Sequence, residues 1–406
     1  MTTVQVHVEA RDGTVRVGTA RITRSRGIDT TEFVYDSAFL AGPGWEVSPD
    51  LPVRAGSSVI EGLPGALDDS APDTWGRNLI ARRLAAQARD AGHVAPTPTE
   101  VDHLLGVNDL TRQGALRYRR DDDGPFLAAS NAVPRLVQLS ELYEATRAVD
   151  VADGADADAA VSALLDAGSG SLGGARPKAS VTDGGSLYVA KFPRGDDRWD
   201  VMRWEAVALD LADRCGLRTP PHDLLDVGGV PVLLVERFDR EGDHRIPFLS
   251  ARSLIGAHDE AARDYLELVD ALTEHGSNVR ADLDELWRRI AFSIVLNNVD
   301  DHMRNHATLR GPGGWTLSPV FDVNPDPTTA PSASSIAGET SPAARRRALL
   351  ATADRFGLSE AEAKDRWHQI VGVVANWRAV ASTREIPTKE QDRFAAVLDR
   401  WTGRGP

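Results

Sequence analysis

The 406-residue chain has one cysteine, Cys215, so it can close no internal disulfide and must hold its fold without covalent cross-links. It also lacks any apolar run near the roughly 20 residues that a membrane-crossing helix needs. The opening MTTVQVHVEA has neither the basic nor the apolar region of a secretory signal. Together these absences point to a reducing cytoplasm as the expected location. Positive charge is in deficit as well: 46 Lys plus Arg stand against 60 Asp plus Glu, a formal net charge of −14. That balance disfavours a protein that grips a nucleic-acid backbone across its whole surface, so any DNA role is expected to be indirect.

What is present is globular in character. A hydrophobic content of 42% and a charged content of 26% sit near the average for folded domains, and the length favours two or three of them. The stretch VQVHVEARDGTVRVGTARI alternates apolar and polar residues on both sides of Asp12-Gly13, as a β-hairpin does. Two more strand-like pieces follow, TEFVYDSAFL and WEVSPDLPV, and then DTWGRNLIARRLAAQARDAG takes a helical pattern. Residues 120–134 and 151–158 read as acidic or small-residue surface connections. Between 168 and 236 the order is a Gly-rich turn, the strands KASV and SLYVAKF, the helix DVMRWEAVALDLADRCG and the strand PVLLVE. Beyond residue 260 helices dominate (YLELVDALTEHG, LDELWRRIAFSIVLNN and SEAEAKDRWHQIVGVVANWRAVA), with one strand-like interruption near 307–321. A sheet-rich part followed by a helical part argues for the α+β class.

The strongest local signal is NNVDDHMRN, which ends an apolar helix. Asp300 and Asn305 stand five apart, the spacing of a kinase catalytic loop in which the Asp takes the hydroxyl proton and the Asn holds Mg²⁺. The segments HATLR, GPGG and WTLSPVFD then form a hairpin that can return Asp322 to the same loop, where its carboxylate and Asn305 supply the hard oxygens Mg²⁺ prefers. The local sequence there is FDVNP, without the glycine of a DFG element. Upstream, residues 168–178 (GSGSLGGARPK) offer backbone amides that can approach phosphates without interference from Cβ, Gly173 and Gly174 among them. GSGSLG also satisfies G-x-G-x-x-G, but a helix-like segment precedes it and Pro177 follows where a helix would open, so the dinucleotide-binding reading fails on context. Lys191 in SLYVAKF and Glu205 in the next helix match a phosphate-contacting Lys and the Glu that orients it. The backbone near Glu236 and Phe238 is placed to hydrogen-bond an adenine edge.

In this order the residues SLGGARPKA, YVAKFP, VERFDR, NNVDDHMRNHATL and LSPVFDVNP resemble the HipA family of toxin kinases, and the start through LPGALDDSAPDTWGRNL is similar to the small domain that precedes their kinase core. The resemblance implies a bilobal, protein-kinase-like fold: a HipA-type domain at 1–130, a kinase N-lobe at 131–236 and a helical C-lobe at 237–406. It implies an ATP- and Mg²⁺-dependent serine/threonine kinase, with Asp300 as base, Asn305 and Asp322 as Mg²⁺ ligands, and Lys191, Glu236, Phe238 and His302 at ATP. It further implies autophosphorylation at Ser171, with Ser169 as an alternative. The implied partners are an aminoacyl-tRNA synthetase as substrate and a HipB-like helix-turn-helix antitoxin through which DNA is reached. Two other classes stand beside this one: a catalytically silent, nucleotide-binding partner of a helix-turn-helix repressor, and a zinc hydrolase using His302 and His306. The second has Met303 where H-E-x-x-H needs Glu. Asp301 reads as structural, and Trp204, Trp287 and Trp377 as core residues.

Overall fold

The structure is a computed structural model describing residues 1–10, 13–42, 44–127, 133–151, 155–169, 174, 176–258 and 261–402. The alternation at the start produces strands β1 (Thr2–Ala10) and β2 (Gly13–Ser25), paired antiparallel with Ala10 opposite Gly13. Strands β3 (Ile28–Tyr35), β4 (Ser57–Glu61) and β5 (Leu116–Arg119) complete a sheet in the order β4-β3-β2-β1-β5. Its inward face carries Val4, Val6, Ala20, Ile22 and Phe33, all buried, as a period of two requires. TEFVYDSAFL is not extended throughout. Asp36 accepts the Ala38 amide at 2.9 Å and caps a helical turn, α1 (Ser37–Ala41). WEVSPDLPV forms no strand either; two prolines remove donors, and the Tyr35 hydroxyl donates to the Leu51 carbonyl at 2.7 Å, holding the segment as a loop. Helices α2 (Gly65–Asp69), α3 (Thr74–Asp90) and α4 (Glu100–Gly106) follow.

Helices α5 (Leu139–Val151) and α6 (Ala155–Asp166) lead into the second sheet. The segment expected as a connection is thus helical from Ala155, with Asp156 and Asp158 in the first turn of α6, where acidic groups favour the positive end of the helix. Strands β6 (Lys178–Asp183), β7 (Ser186–Lys191), β8 (His222–Val227) and β9 (Val230–Glu236) form an antiparallel sheet in the order β6-β7-β9-β8, and α7 (Val201–Arg214) packs on it. Strand β8 was not anticipated. Gly228 and Gly229, at φ of 63° and 86°, turn it back against β9 in the conformation of a two-residue hairpin.

A short hairpin, β10 (Arg240–Glu241) and β11 (His244–Arg245), precedes a three-stranded sheet of β12 (Phe248–Ser250), β13 (Ala307–Gly311) and β14 (Gly314–Leu317). Around it lie α8 (Ala251–Leu254), α9 (Tyr265–His275), α10 (Val279–Leu296), α11 (Pro342–Ala351), α12 (Glu360–Val374), α13 (Trp377–Thr383) and α14 (Thr388–Leu398). One helix expected over 359–381 is two, broken where the Asn376 side chain donates to the Gly372 carbonyl and competes with the helical ladder. None of the described helices is long and apolar enough to cross a membrane.

The hydrophobic core ignores the order of the segments. Buried residues of the first sheet and of the C-terminal helices belong to one cluster, whereas the β6–β9 sheet has its own smaller clusters. Trp204 of α7 joins the large cluster by stacking on Phe394 at 3.9 Å between ring centres, and Trp287 and Trp377 are fully buried in it. Polar ties act within the first domain and across to the rest. Arg112, fully buried, donates to the first-domain carbonyls of Ser70, Leu104 and Val107 at 2.9–3.0 Å. Asp69 on α2 accepts from the Ser250 amide at 2.6 Å and the Ser250 hydroxyl at 2.7 Å. Burial pushes the Asp69 carboxyl up to about 6, against the pull of those two donors.

Between the ordinary carboxylate value and pH 6, folded Asp69 therefore binds more protons than the unfolded chain does. Its contribution to stability falls as pH rises through that window, by about 3 kcal/mol in all. Chemical denaturation at pH 4 to 7 should show Asp69→Asn gaining on the parent chain as pH rises; a constant difference would contradict the burial argument.

Candidate active site

Lys191 ends β7, and its ammonium faces two carboxylates that the chain delivers from different directions. It donates to Glu205 Oε1 of α7 at 2.5 Å and to Asp322 Oδ1, beyond β14, at 2.9 Å. Asp322 reaches this point in a left-handed backbone conformation, φ 56°, at the end of the hairpin. Burial alone would strip the charge from Lys191, yet Asp322 and Glu205 hold its ammonium well above the usual lysine range. Burial likewise opposes ionisation of Asp322, but Lys191 and Lys178 hold that carboxyl well below the usual range. Glu205 is pushed upward by burial, with Lys191 pulling the other way.

Lys178 is a participant the sequence reading left without a role. In the β6–β7 pairing it stands directly opposite Lys191, and it is equally buried. Burial and the adjacent Lys191 lower it to about 8, opposed by Asp322. The signal was available: pairing residues outward from the Gly184-Gly185 turn sets 183 against 186 and hence 178 against 191. Two lysines facing each other across a buried sheet position call for anions between them.

The segment read from the sequence as a catalytic loop sits opposite. Helix α10 ends at Asn297, φ 59°, whose side-chain amide donates to the carbonyls of Asp326 and Thr328. The chain then runs extended to a helical turn at Met303–Asn305. Asn305 donates its amide to the Asp300 carbonyl at 2.9 Å, which leaves its oxygen for other partners. The Asp300 side chain is 84% exposed to the cleft, 3.9 Å from His302 Nε2. Partial withdrawal from solvent raises its carboxyl above the usual range, His302 opposing and Asp322, Asp301 and Asp326 adding to it; water screens these charges. Asp301 turns the other way, into the protein. Its carboxylate accepts from the Tyr265 hydroxyl, from Ser293 Oγ at 2.5 Å and from His306 Nε2 at 2.8 Å, with Arg345 at 4.0 Å. Burial works against this charge, but His306 and Arg345 hold Asp301 well below the usual range. His302 and His306 thus serve different surroundings, one in the cleft and one in this buried cluster.

Between the two lobes lies an inner cavity of about 130 Å³, walled by Val189, Leu209, Val235, Phe238, Phe248 and Phe321. The rings of Phe238 and Phe321 meet at 5.5 Å. Glu236, at the end of β9, lines the same cavity and accepts from Ser186 Oγ at 2.9 Å. An outer cleft of about 860 Å³, within the range of ligand sites, holds Lys178, Lys191, Asp300, His302, Asn305 and Asp322. Asp322, Asn305 and Asn324 bring oxygen donors to this cleft, and Asn324 Oδ1 is buried with no hydrogen-bond partner, so a hard divalent cation suits the donor set.

The first domain supplies part of the cleft, which the sequence did not suggest. Asp73 accepts the Gly174 amide at 2.6 Å, so this amide is already engaged by a carboxylate. Asp68 accepts from Arg252 and from Arg304, the residue before Asn305. Ser171 and Gly173 lie outside the described residues; Ser169 is fully buried.

Residues 170–377 match the HipA-like C-terminal domain, and residues 11–94 match the HipA N-terminal domain. The chain belongs to the HipA family. Its fold, α+β and kinase-like, is that of HipA from Shewanella oneidensis MR-1, solved as a complex with HipB and operator DNA. The two superpose with a TM-score of 0.72 at 16% identity, over 99% of this chain and 96% of that one. The sequence is also 25% identical over 146 residues to a Sinorhizobium fredii protein named "Putative kinase Y4mE"; the match spans only 33% of this chain and 33% of that relative's length. In this HipA-family chain the first-domain wall and the two facing lysines are integral to the cleft.

Removing the Asp301 carboxylate strands a buried histidine and arginine. Asp301→Ala should therefore cost about 3–5 kcal/mol in chemical denaturation, and a loss under about 1 kcal/mol would show that the loop does not depend on this anchor.

Proposed function

We propose that this HipA-family chain is an ATP- and Mg²⁺-dependent serine/threonine protein kinase. The observation that carries the reading is the contact of Lys191 with both Glu205 and Asp322 at the edge of a cleft that also holds Asp300 and Asn305. An ammonium between two carboxylates, beside a second buried lysine, is suited to the phosphate chain of a nucleotide. The apolar inner cavity next to Glu236 and Phe238 suits a purine. Asn305 and Asp322 would hold Mg²⁺, which when bound offsets charge on phosphate oxygens. Glu205 keeps Lys191 oriented, and Lys191 with Lys178 neutralises phosphate charge. Asp300, open to the cleft with its carboxyl held above the usual range, accepts the proton of the attacking hydroxyl. His302 stands close enough to Asp300 to share in phosphate contact.

The biological setting follows from the family. The chain acts as the toxin of a toxin-antitoxin pair, bound by a HipB-like helix-turn-helix antitoxin that carries the DNA contacts, in keeping with its net charge of −14. A translation component such as an aminoacyl-tRNA synthetase is the proposed substrate. Ser171 is the proposed site of autophosphorylation, and the full burial of Ser169 favours it.

Incubation with radiolabelled ATP and Mg²⁺ should label the chain, and Asp300→Asn should lower transfer by ~10²–10⁴-fold while leaving the thermal unfolding midpoint in place. Transfer at the parental rate would remove Asp300 from its role. ATP binding without any transfer would instead identify a silent, nucleotide-binding partner of a repressor. Mass spectrometry should find the label on Ser171, and Ser171→Ala should abolish it.

A further inference from the structure

The first domain reaches the inner cavity as well as the outer cleft, through Gln113. Its neighbours are fixed to the turn that follows β9. Arg237 donates to the carbonyls of Thr111 and, at 3.2 Å, Arg112, while Asp239 accepts the Gly114 amide at 2.7 Å. The segment is thus held on both sides of Gln113. All five residues of this clamp are buried, and Asp239 is locked further by Arg237 and Arg240. On its other side the segment meets Gly168, where φ is 72° and an added Cβ would fall 2.2 Å from Thr111 Oγ1. Gln113 therefore stands at a fixed place beside Phe238 and Phe248, where it lines the cavity.

The polar side chains that share this lining are already committed. Glu236 accepts from Ser186, Ser250 donates to Asp69, Asn305 donates to Asp300, and the charged groups are paired. Among the described residues, the Gln113 amide has no hydrogen-bond partner. It carries a donor and an acceptor on a half-buried side chain, in a segment packed against Phe248 and tied to the residues on either side of Phe238.

We propose that Gln113 is a specificity-determining residue that hydrogen-bonds the nucleoside half of the bound nucleotide, so that the first domain takes part in nucleotide selection. The inference rests on the nucleotide-binding reading above. The clamp through Arg237 and Asp239 makes the contact preorganised: no loop has to be ordered when the nucleotide enters. The shared chemistry is a neutral amide meeting either the base edge or the ribose hydroxyls.

Titration calorimetry on the full chain with a non-hydrolysable ATP analogue tests this. Gln113→Leu, which keeps the bulk and removes the amide, should weaken binding about three- to tenfold, the worth of one hydrogen bond, and leave inorganic tripolyphosphate binding unchanged. Loss of an ATP-over-GTP preference in the variant assigns the contact to the base; loss of a preference for ATP over 2′-deoxy-ATP assigns it to the ribose. Affinity changed by less than about twofold, or tripolyphosphate weakened equally, overturns the proposal. Failure of the parent chain to bind the analogue at all overturns the nucleotide reading with it, a separate result. Should Gln113→Leu not fold, Gln113→Asn, one methylene shorter, reads the same loss.

Discussion

One ammonium organises the centre of this molecule. Lys191 belongs to a strand, Glu205 to the helix packed on that strand and Asp322 to a loop of the opposite lobe, and the three meet within 2.9 Å. Two carboxylates so close would repel each other without the lysine between them, and burial magnifies the repulsion. The contact therefore decides how the lobes face one another. It does so at a cost, because taking these charges out of water is unfavourable and apolar side chains of the same shape would pack at least as stably. Lys178, buried opposite Lys191, increases that cost. A concentration of charge kept against stability makes physical sense where a strongly charged ligand enters and completes the neutralisation.

The same logic extends to the first domain, which is more than an appendage. It shares its hydrophobic core with the C-terminal helices and grips the turn after β9 through Arg237 and Asp239. It also brings Asp68 and Asp73 against Arg304 and Gly174 respectively. Asp73 occupies the Gly174 amide, a donor that a phosphate would also seek, so entry of a phosphate there means an exchange of anions at that amide. Arg304, one residue before Asn305, is tied to both Asp68 and Asp73, which couples the position of the metal-binding candidate to the first domain. The cleft is consequently a three-walled site in which no segment is complete alone.

Local chemistry was legible in the sequence wherever neighbours along the chain are also neighbours in space. The hairpin at the start, the pairing of β6 with β7 and the hairpin that returns Asp322 all follow from alternation and glycine turns, and the spacing of Asp300 and Asn305 picks out two residues that line one cleft. Strand β8 and the facing position of Lys178 were equally readable, from Gly228-Gly229 and from counting back from Gly184-Gly185. The exceptions nearby are instructive. A cap at Asp36, two prolines after Trp45 and the side chain of Asn376 overrode patterns that hydrophobic periodicity alone suggested.

What the tertiary structure decided is everything that joins distant parts. Loop spacing singled out Asp300 and left Asp301 a structural residue, but that Asp301 turns inward onto Tyr265, Ser293 and His306 depends on which helices stand behind the loop. The contributions of Asp68, Asp73 and Gln113 come from a domain that periodicity reads as self-contained, and they reach the cleft only because its core merges with that of the C-terminal helices. The sequence by itself determined the chemical groups and their local spacing, since covalent geometry and short-range hydrogen bonds act over a few residues. Their convergence on one cleft was settled by burial, which is non-directional and joins whichever apolar faces can be packed together.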